Sequence, residues 1–338
     1  MTAPVFLVTA PLPEPGMTML RSAGEVVLPS RPLSASELDI ACASGDYDVV
    51  VAQLTDRFDA ALLARASIKG IANYAVGFDN VDVAAATANG VLVCNTPGVL
   101  TEATADLAML LILATARRCV EADEFTRSGR FEGWRPELLL GADVSGAALG
   151  LAGFGRIARA TAKRALGFGM DVRYTVRRGP IPDGELGELA GRVRYLPWTE
   201  LVRTSDFLSL HVPLTEDTLH LIDAATLRSM KPTAFLINTA RGPIIDEKAL
   251  VDALRSGEIG GAGLDVYECE PRLASGLAGL PNTTLLPHVG SATRSVRARM
   301  AELCADNAVA MAVGEPPRHP VNAGEPGISP ETGHPARG

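Results

Sequence analysis

Residues 150–165 read GLAGFGRIARATAKRA. An apolar strand pattern over Ala147–Ala152 runs into Gly153-Phe154-Gly155, and a helical pattern free of Pro and Gly follows up to Leu166. This is the setting that a dinucleotide-binding turn requires. Gly153 permits a tight turn, and Gly155 lets the backbone approach a pyrophosphate seated at the positive end of the helix. The third position of the pattern, where helix meets strand, is filled by Ala158. A glycine-rich strand–helix turn with no ligand would carry the same letters. The next strand and a cluster well downstream must therefore separate the two readings.

The next strand is GMDVRYTVRR, Gly169–Arg178. A strand that grips the ribose hydroxyls of NAD ends in an acidic residue. This one ends in Val176, Arg177 and Arg178, and its one acid, Asp171, lies at the wrong end. Guanidinium groups pair well with phosphate. Arg177 and Arg178 therefore favour NADP(H), with NAD(H) possible. Two solvated surface arginines with loose cofactor choice remain the alternative.

Downstream, FLINTARGPIIDEKAL places Arg241 just past a strand, GLDVYECEP places Glu270 past the next, and LLPHVGSAT places His288 past the one after. Singly, these would be a surface arginine, a solvated acid and a core histidine. Together they stand at consecutive strand ends, where open parallel sheets bind ligands. The chemistry matches reduction of a 2-oxo acid. Arg241 offers a fork of donors to carboxylate and carbonyl, and His288 offers the proton. Glu270 would stabilise the imidazolium and keep it charged for reduction.

The rest of the chain fits an α/β protein. Strand patterns at VFLVTA, YDVVVAQL, IKGIANYA and GVLVCNTP, with a helix through DRFDAALLARA, indicate a parallel α/β unit over the first hundred residues. One long helix is expected over TEATADLAMLLILATARRCVEADEFTRSGR, with Thr101 or Thr104 as its cap. Its apolar middle suggests burial between domains or subunits. A second strand–helix alternation follows, then a helix over SATRSVRARMAELCADNAVAMAVGE, then a Pro- and Gly-rich tail from Pro316 that reads as loose. The 338 residues are 47% hydrophobic and 21% charged, enough for two cored domains. The net charge of −8 argues against nucleic acid as a partner. No apolar run approaches the roughly eighteen residues of a membrane span, so no membrane association is expected. The N-terminus reads as a first strand and not as a signal peptide. The five cysteines are scattered and form no CxxC pair, which suits a reducing cytoplasm better than a disulfide or zinc framework. No metal is expected.

The chain resembles the D-isomer-specific 2-hydroxyacid dehydrogenases from about Val5 to Asn322. The carriers are AVGFDNVDVAAATANGVLVCNTPGVLTEATADLA, GLAGFGRIA, LHVPLTEDTLHLID, MKPTAFLINTARGPIIDEKAL, GLDVYECEP and LLPHVGSAT. The resemblance implies a catalytic trio of Arg241, Glu270 and His288, with Arg241 and the backbone at Val76 and Gly77 binding the substrate. It implies a cofactor groove lined by Thr104, Gly155, Arg156, Ile157, Pro213, Thr218, Thr239, Ala240 and Asp265, with Asp265 near the carboxamide. It also implies two doubly wound parallel-sheet domains. A flavodoxin-like substrate domain takes residues 1–100 plus 286–315, and a Rossmann dinucleotide domain takes 101–285.

A homodimer is implied as well. Within the family the look is nearest to glyoxylate and hydroxypyruvate reductases, through TEATADLAMLLILATARR, YTVRR and EGWRPELLLGADVSG. Trp134 matches a tryptophan that reaches the partner subunit's site in some of these, or else packs under its own loop. Other substrates (phosphoglycerate, D-lactate-like, phosphite) and a dinucleotide-sensing corepressor-like role are the alternatives. Formate dehydrogenase-like members carry Gln where Glu270 stands, and phosphite-oxidising members carry Lys where Val76 stands. Ala158 in place of a third glycine and VSGAALGLAG in place of GKTLG are departures that touch packing around the pyrophosphate. Cys269, beside Glu270, receives no role.

Overall fold

The computed structural model describes residues 3–322, and these divide into two units, one of residues up to Leu100 and from Ser291 onward, the other Thr101–Gly290. In the first unit, β1 (Val5–Val8), β2 (Glu25–Val27), β3 (Val49–Ala52), β4 (Gly70–Asn73) and β5 (Leu92–Cys94) form one sheet in the order β2-β1-β3-β4-β5. Every pairing is parallel, so both faces must be covered by helices. That explains a β3 written as Val49-Val50-Val51-Ala52, buried at all four positions. The helix Arg294–Val313 packs on β3 and β4, and Gly16 lets the helix Gly16–Ala23 lie against it: a Cβ on Gly16 would sit 2.8 Å from the Ala301 Cβ.

Three details of this unit differ from the expectations above. Strand β2 was not foreseen; its three residues are too short for a legible alternation. The helix expected through DRFDAALLARA is a single turn, Ala60–Leu63, capped by Asp59. The tail is not loose at its start: Val321 N donates to Val93 O, Val93 N to the Asn322 carboxamide, and Asn95 N to His319 O, so residues 319–322 are laid along β5. The remainder of the tail, 323–338, lies outside the described residues.

The second unit holds β6 (Ala148–Ala152), β7 (Asp171–Thr175), β8 (Arg194–Tyr195), β9 (Phe207–Leu210), β10 (Phe235–Asn238), β11 (Gly261–Leu264) and β12 (Thr283–Leu285). They form a parallel sheet in the order β12-β11-β10-β9-β6-β7-β8. The chain winds from β6 towards β8, then returns to β9 and winds the other way. The switch point thus lies between β6 and β9, where doubly wound sheets open a ligand crevice. Both units have the doubly wound parallel architecture expected from the sequence.

The long helix of this unit is broken. It runs Thr101–Ala116 on β10, β11 and β12, turns at Arg118 (φ 51°), and resumes as Cys119–Arg127. The segment at residues 141–142 crosses the first helix's end: Ala142 N donates to Ala116 O, and a Cβ on Gly141 would lie 2.3 Å from that oxygen. With its last carbonyl engaged from outside, the helix cannot propagate. Residues 286–290, assigned above to the first unit, are held to β11. Leu286 N donates to Leu264 O and His288 N to Asp265 O, so the histidine loop folds with these strands.

Candidate active site

The glycine turn sits at the end of β6, beside the switch point. Gly153 has φ 90°, and a Cβ there would lie 2.6 Å from the backbone oxygen of His211. Only glycine meets both conditions. Gly155 is the N-cap of the helix Arg156–Gly167, and a Cβ there would meet nothing within 4 Å. Open space thus faces the positive end of the helix, which Arg156 and Ile157 begin. Ala158 is fully buried against the strands, as a close-packing position requires. Across the crevice, the Thr239 hydroxyl is buried without a hydrogen-bond partner among the described residues. An open cradle and an orphaned hydroxyl fit a dinucleotide there.

The other groove residues are placed as follows. Arg177 pairs with Asp217 at 2.6 Å and Arg178 with Glu185 at 2.8 Å, both in exposed positions past the end of β7. Asp171 opens β7 and binds Arg173, far along the strand from that edge. Thr218 donates to Pro213 O at 2.7 Å, closing the loop after β9. Thr104 lies inside its helix, not at the cap, and its hydroxyl donates to Gly290 O at 3.3 Å.

The trio converges at the ends of β10, β11 and β12. His288 Nδ1 and Glu270 Oε2 are 2.9 Å apart, and Glu270 Oε1 accepts from Tyr267 N at 3.0 Å. Burial pushes the Glu270 proton affinity up. The hydrogen bond and charge of His288, the Tyr267 amide and the Arg241 charge outweigh it and hold the carboxyl below its ordinary range. His288 adopts a left-handed φ of 56°, unusual for a residue with a side chain. Asp265 holds that conformation: its carboxylate accepts from Val289 N and Gly290 N, each at 2.7 Å. Burial pushes Asp265 upward, partly offset by those two amides. The Arg241 turn is shaped by buried Asn238, which accepts from Ala240 N at 2.9 Å and donates to Arg241 O at 2.8 Å. Gly242 lets this turn rest on the acid loop, for a Cβ there would fall 1.8 Å from the Tyr267 carbonyl carbon.

In the first unit, the segment after β4 has three carbonyls held in succession. Thr96 N donates to Ala75 O at 2.8 Å, Asn95 Nδ2 to Val76 O at 2.8 Å, and Asn73 Nδ2 to Gly77 O at 2.9 Å. These peptides are trans, so the amides of Val76, Gly77 and Phe78 point away from those donors. None of the three has an acceptor among the described residues. Three consecutive amides without an acceptor suit an anion. Sequence reasoning proposed Val76 and Gly77 but missed Phe78 and the two asparagines that aim the row. It also missed Asn238. Asparagine beside a strand end reads as an ordinary turn former, so no signal marked these residues. Among the described residues, no group of His, Cys, Asp and Glu could hold a metal ion.

Residues 109–290 match the family model for the D-isomer specific 2-hydroxyacid dehydrogenase, NAD binding domain. The chain is 47% identical over 325 residues to a glyoxylate reductase of Thermococcus litoralis, covering 94% of this chain and 97% of that one. A crystal structure of a Thermus thermophilus protein superposes with a TM-score of 0.85 at 44% identity, covering 94% of this chain and all of that one. An NADPH-dependent glyoxylate/hydroxypyruvate reductase from Sinorhizobium meliloti, solved with NADP and malonate, gives 0.83 at 35% identity, covering 95% and 97%.

Proposed function

The chain belongs to the D-isomer-specific 2-hydroxyacid dehydrogenases, NAD(P)-dependent oxidoreductases, and from that membership we propose an NADPH-preferring reductase of glyoxylate or hydroxypyruvate. The observation that carries this reading is the meeting of Arg241, Glu270 and His288 at three consecutive strand ends, with imidazole and carboxylate 2.9 Å apart. NADPH, when bound, supplies the hydride. Arg241 orients the substrate's carboxylate and polarises its carbonyl. His288, its Nδ1 held by Glu270, presents Nε2 and gives its proton to the carbonyl oxygen as negative charge develops there. Glu270 stabilises the imidazolium that this role needs. Taken by itself, the first unit offers the amides of Val76 and Gly77, joined by Phe78, as donors that suit a small anion. The Sinorhizobium meliloti reductase, crystallised with malonate, shows a relative holding such a group.

The NADPH preference rests on the end of β7. The strand itself ends in Val176, Arg177 and Arg178 and not in an acid, and the carboxylates of Asp217 and Glu185 that pair with the two arginines are exposed partners of little net strength that a 2′-phosphate can replace. A homodimer is supported by exposed apolar side chains around the broken helix, Leu110, Val120, Phe131, Trp134 and Leu140. A cytoplasmic setting rests on the five free cysteines.

The test is a panel of small 2-oxo acids assayed with NADPH and NADH. Glyoxylate or hydroxypyruvate with NADPH should give the highest kcat/KM, and Arg177→Ala should erode the preference for NADPH. His288→Ala should lower kcat by about 10²–10⁴-fold, the usual worth of a positioned general acid. Near-normal turnover by His288→Ala would remove the proton-donor assignment, and no turnover of any 2-oxo acid by the wild type would remove the reductase.

A further inference from the structure

We propose that Glu247 is a positioning residue whose buried carboxylate staples both ends of the loop bearing Glu270 and so sets the approach of Glu270 to His288. The proposal rests on the reading of those two residues as the reacting pair. Glu247 opens the helix Glu247–Ser256 and is 3% exposed. The helix does not use its side chain, because Asp246 supplies the cap by accepting from Ala249 N at 3.0 Å. Instead Glu247 Oε1 accepts from Glu268 N at 2.8 Å and Oε2 from Ala274 N at 3.1 Å. These two amides bracket the segment Cys269–Leu273, with Glu270 between them.

The tie is reciprocal and extends outward. Glu268 Oε2 accepts from Glu247 N at 3.2 Å, and Glu268 Oε1 meets His220 Nε2 at 2.8 Å. His220 belongs to the same stretch as Pro213 and Thr218, so the acid loop and the loop after β9 are fastened together. Burial raises the proton affinity of Glu247, and the two loop amides oppose it. A buried carboxylate is costly unless hydrogen-bonded, so the loop and the carboxylate hold each other in place.

The geometry gives this staple a consequence for the site. His288 is fixed from the sheet, through Asp265 and the end of β11. Glu270 has one oxygen locked within its own loop, on Tyr267 N, and the other on the imidazole. At its start the acid loop is also tied to the histidine segment, the Tyr267 hydroxyl donating to Leu286 O at 2.8 Å, and Glu247 supplies the hold on the residues beyond, at Glu268 and Ala274.

The test compares wild type, Glu247→Gln, Glu270→Gln and the double variant, each as full-length protein. Glu247→Gln should speed amide exchange at Glu268 and Ala274 by tenfold or more while β10 and β11 keep their protection. It should lower kcat with glyoxylate ten- to a hundredfold and leave KM for NADPH within twofold. In the Glu270→Gln background the same change should cost less than twofold, because its effect runs through Glu270. An undiminished cost in that background, an unchanged kcat, or unchanged loop exchange overturns the proposal. If Glu247→Gln does not fold, Glu247→Asp takes its place in the cycle. Failure of both to fold also overturns it, since the residue then serves the fold at large. Exchange needs no substrate, so a wild type without turnover would fell the reductase reading and leave the staple standing on its own readout.

Discussion

At Glu270 two tendencies compete. Burial favours the neutral acid; the bond and charge of His288, the Tyr267 amide and the Arg241 charge favour the carboxylate and win. The folded value lies below the ordinary 4.5, so the unfolded chain takes up this proton first as the pH falls. The pair therefore contributes stability above about pH 4.5 and loses it as the pH drops through the lower folded value. Thermal midpoints of wild type and Glu270→Gln measured from pH 7 to 3 should differ most at the upper end and converge below about 4.5. A gap that stays constant with pH would mean that the carboxylate is not held charged by its neighbours. The identities of Arg241, Glu270 and His288 were legible because each follows an apolar strand. Their supports were not: Asp265 and Glu247 act by hydrogen bonds to residues brought near by other strands, and Asn238, which bonds only two and three residues ahead, reads as an ordinary turn former.

Among the elements, the β6–helix turn shows two glycines with different duties. Gly153 is needed by the fold itself, because of its positive φ and the His211 carbonyl at 2.6 Å from a Cβ. Gly155 has ordinary φ and open space, so its bareness serves whatever approaches the helix end. Gly153→Ala should cost about 1–3 kcal/mol of stability as well as cofactor binding. Gly155→Ala, which meets no clash and gives up only a moderate N-cap, should lower the melting midpoint less than Gly153→Ala and still weaken NADPH binding by tenfold or more, read by fluorescence titration. Equal effects of the two substitutions on stability would contradict this division. The turn was visible in the sequence because strand, glycines and helix are contiguous. The break at Arg118 was not, because its cause is the segment at Gly141 and Ala142 crossing the helix end.

For the molecule in solution, the exposed apolar side chains around the broken helix, Leu110, Val120, Phe131, Trp134 and Leu140, are the proposed contact, with Trp134 83% exposed. Light scattering should report twice the chain mass, and Trp134→Ala should weaken the dimer by tenfold or more. A monomer at micromolar concentration would leave that patch without its proposed partner. At 83% exposed, Trp134 does not pack under its own loop, so its substitution should cost association and leave the melting midpoint of the chain little changed.

Periodicity and glycine spacing were enough to establish two parallel α/β units, a dinucleotide-type turn and three polar residues at strand ends. These are matters of neighbours along the chain, and short-range sterics and apolar alternation write them locally. Which buried polar groups aim those residues was settled by packing alone. Glu247 reaches an amide 27 residues away along the chain, and Thr104 a carbonyl 186 residues away. A hydrogen bond between distant residues exists only once the strands between them have taken their places.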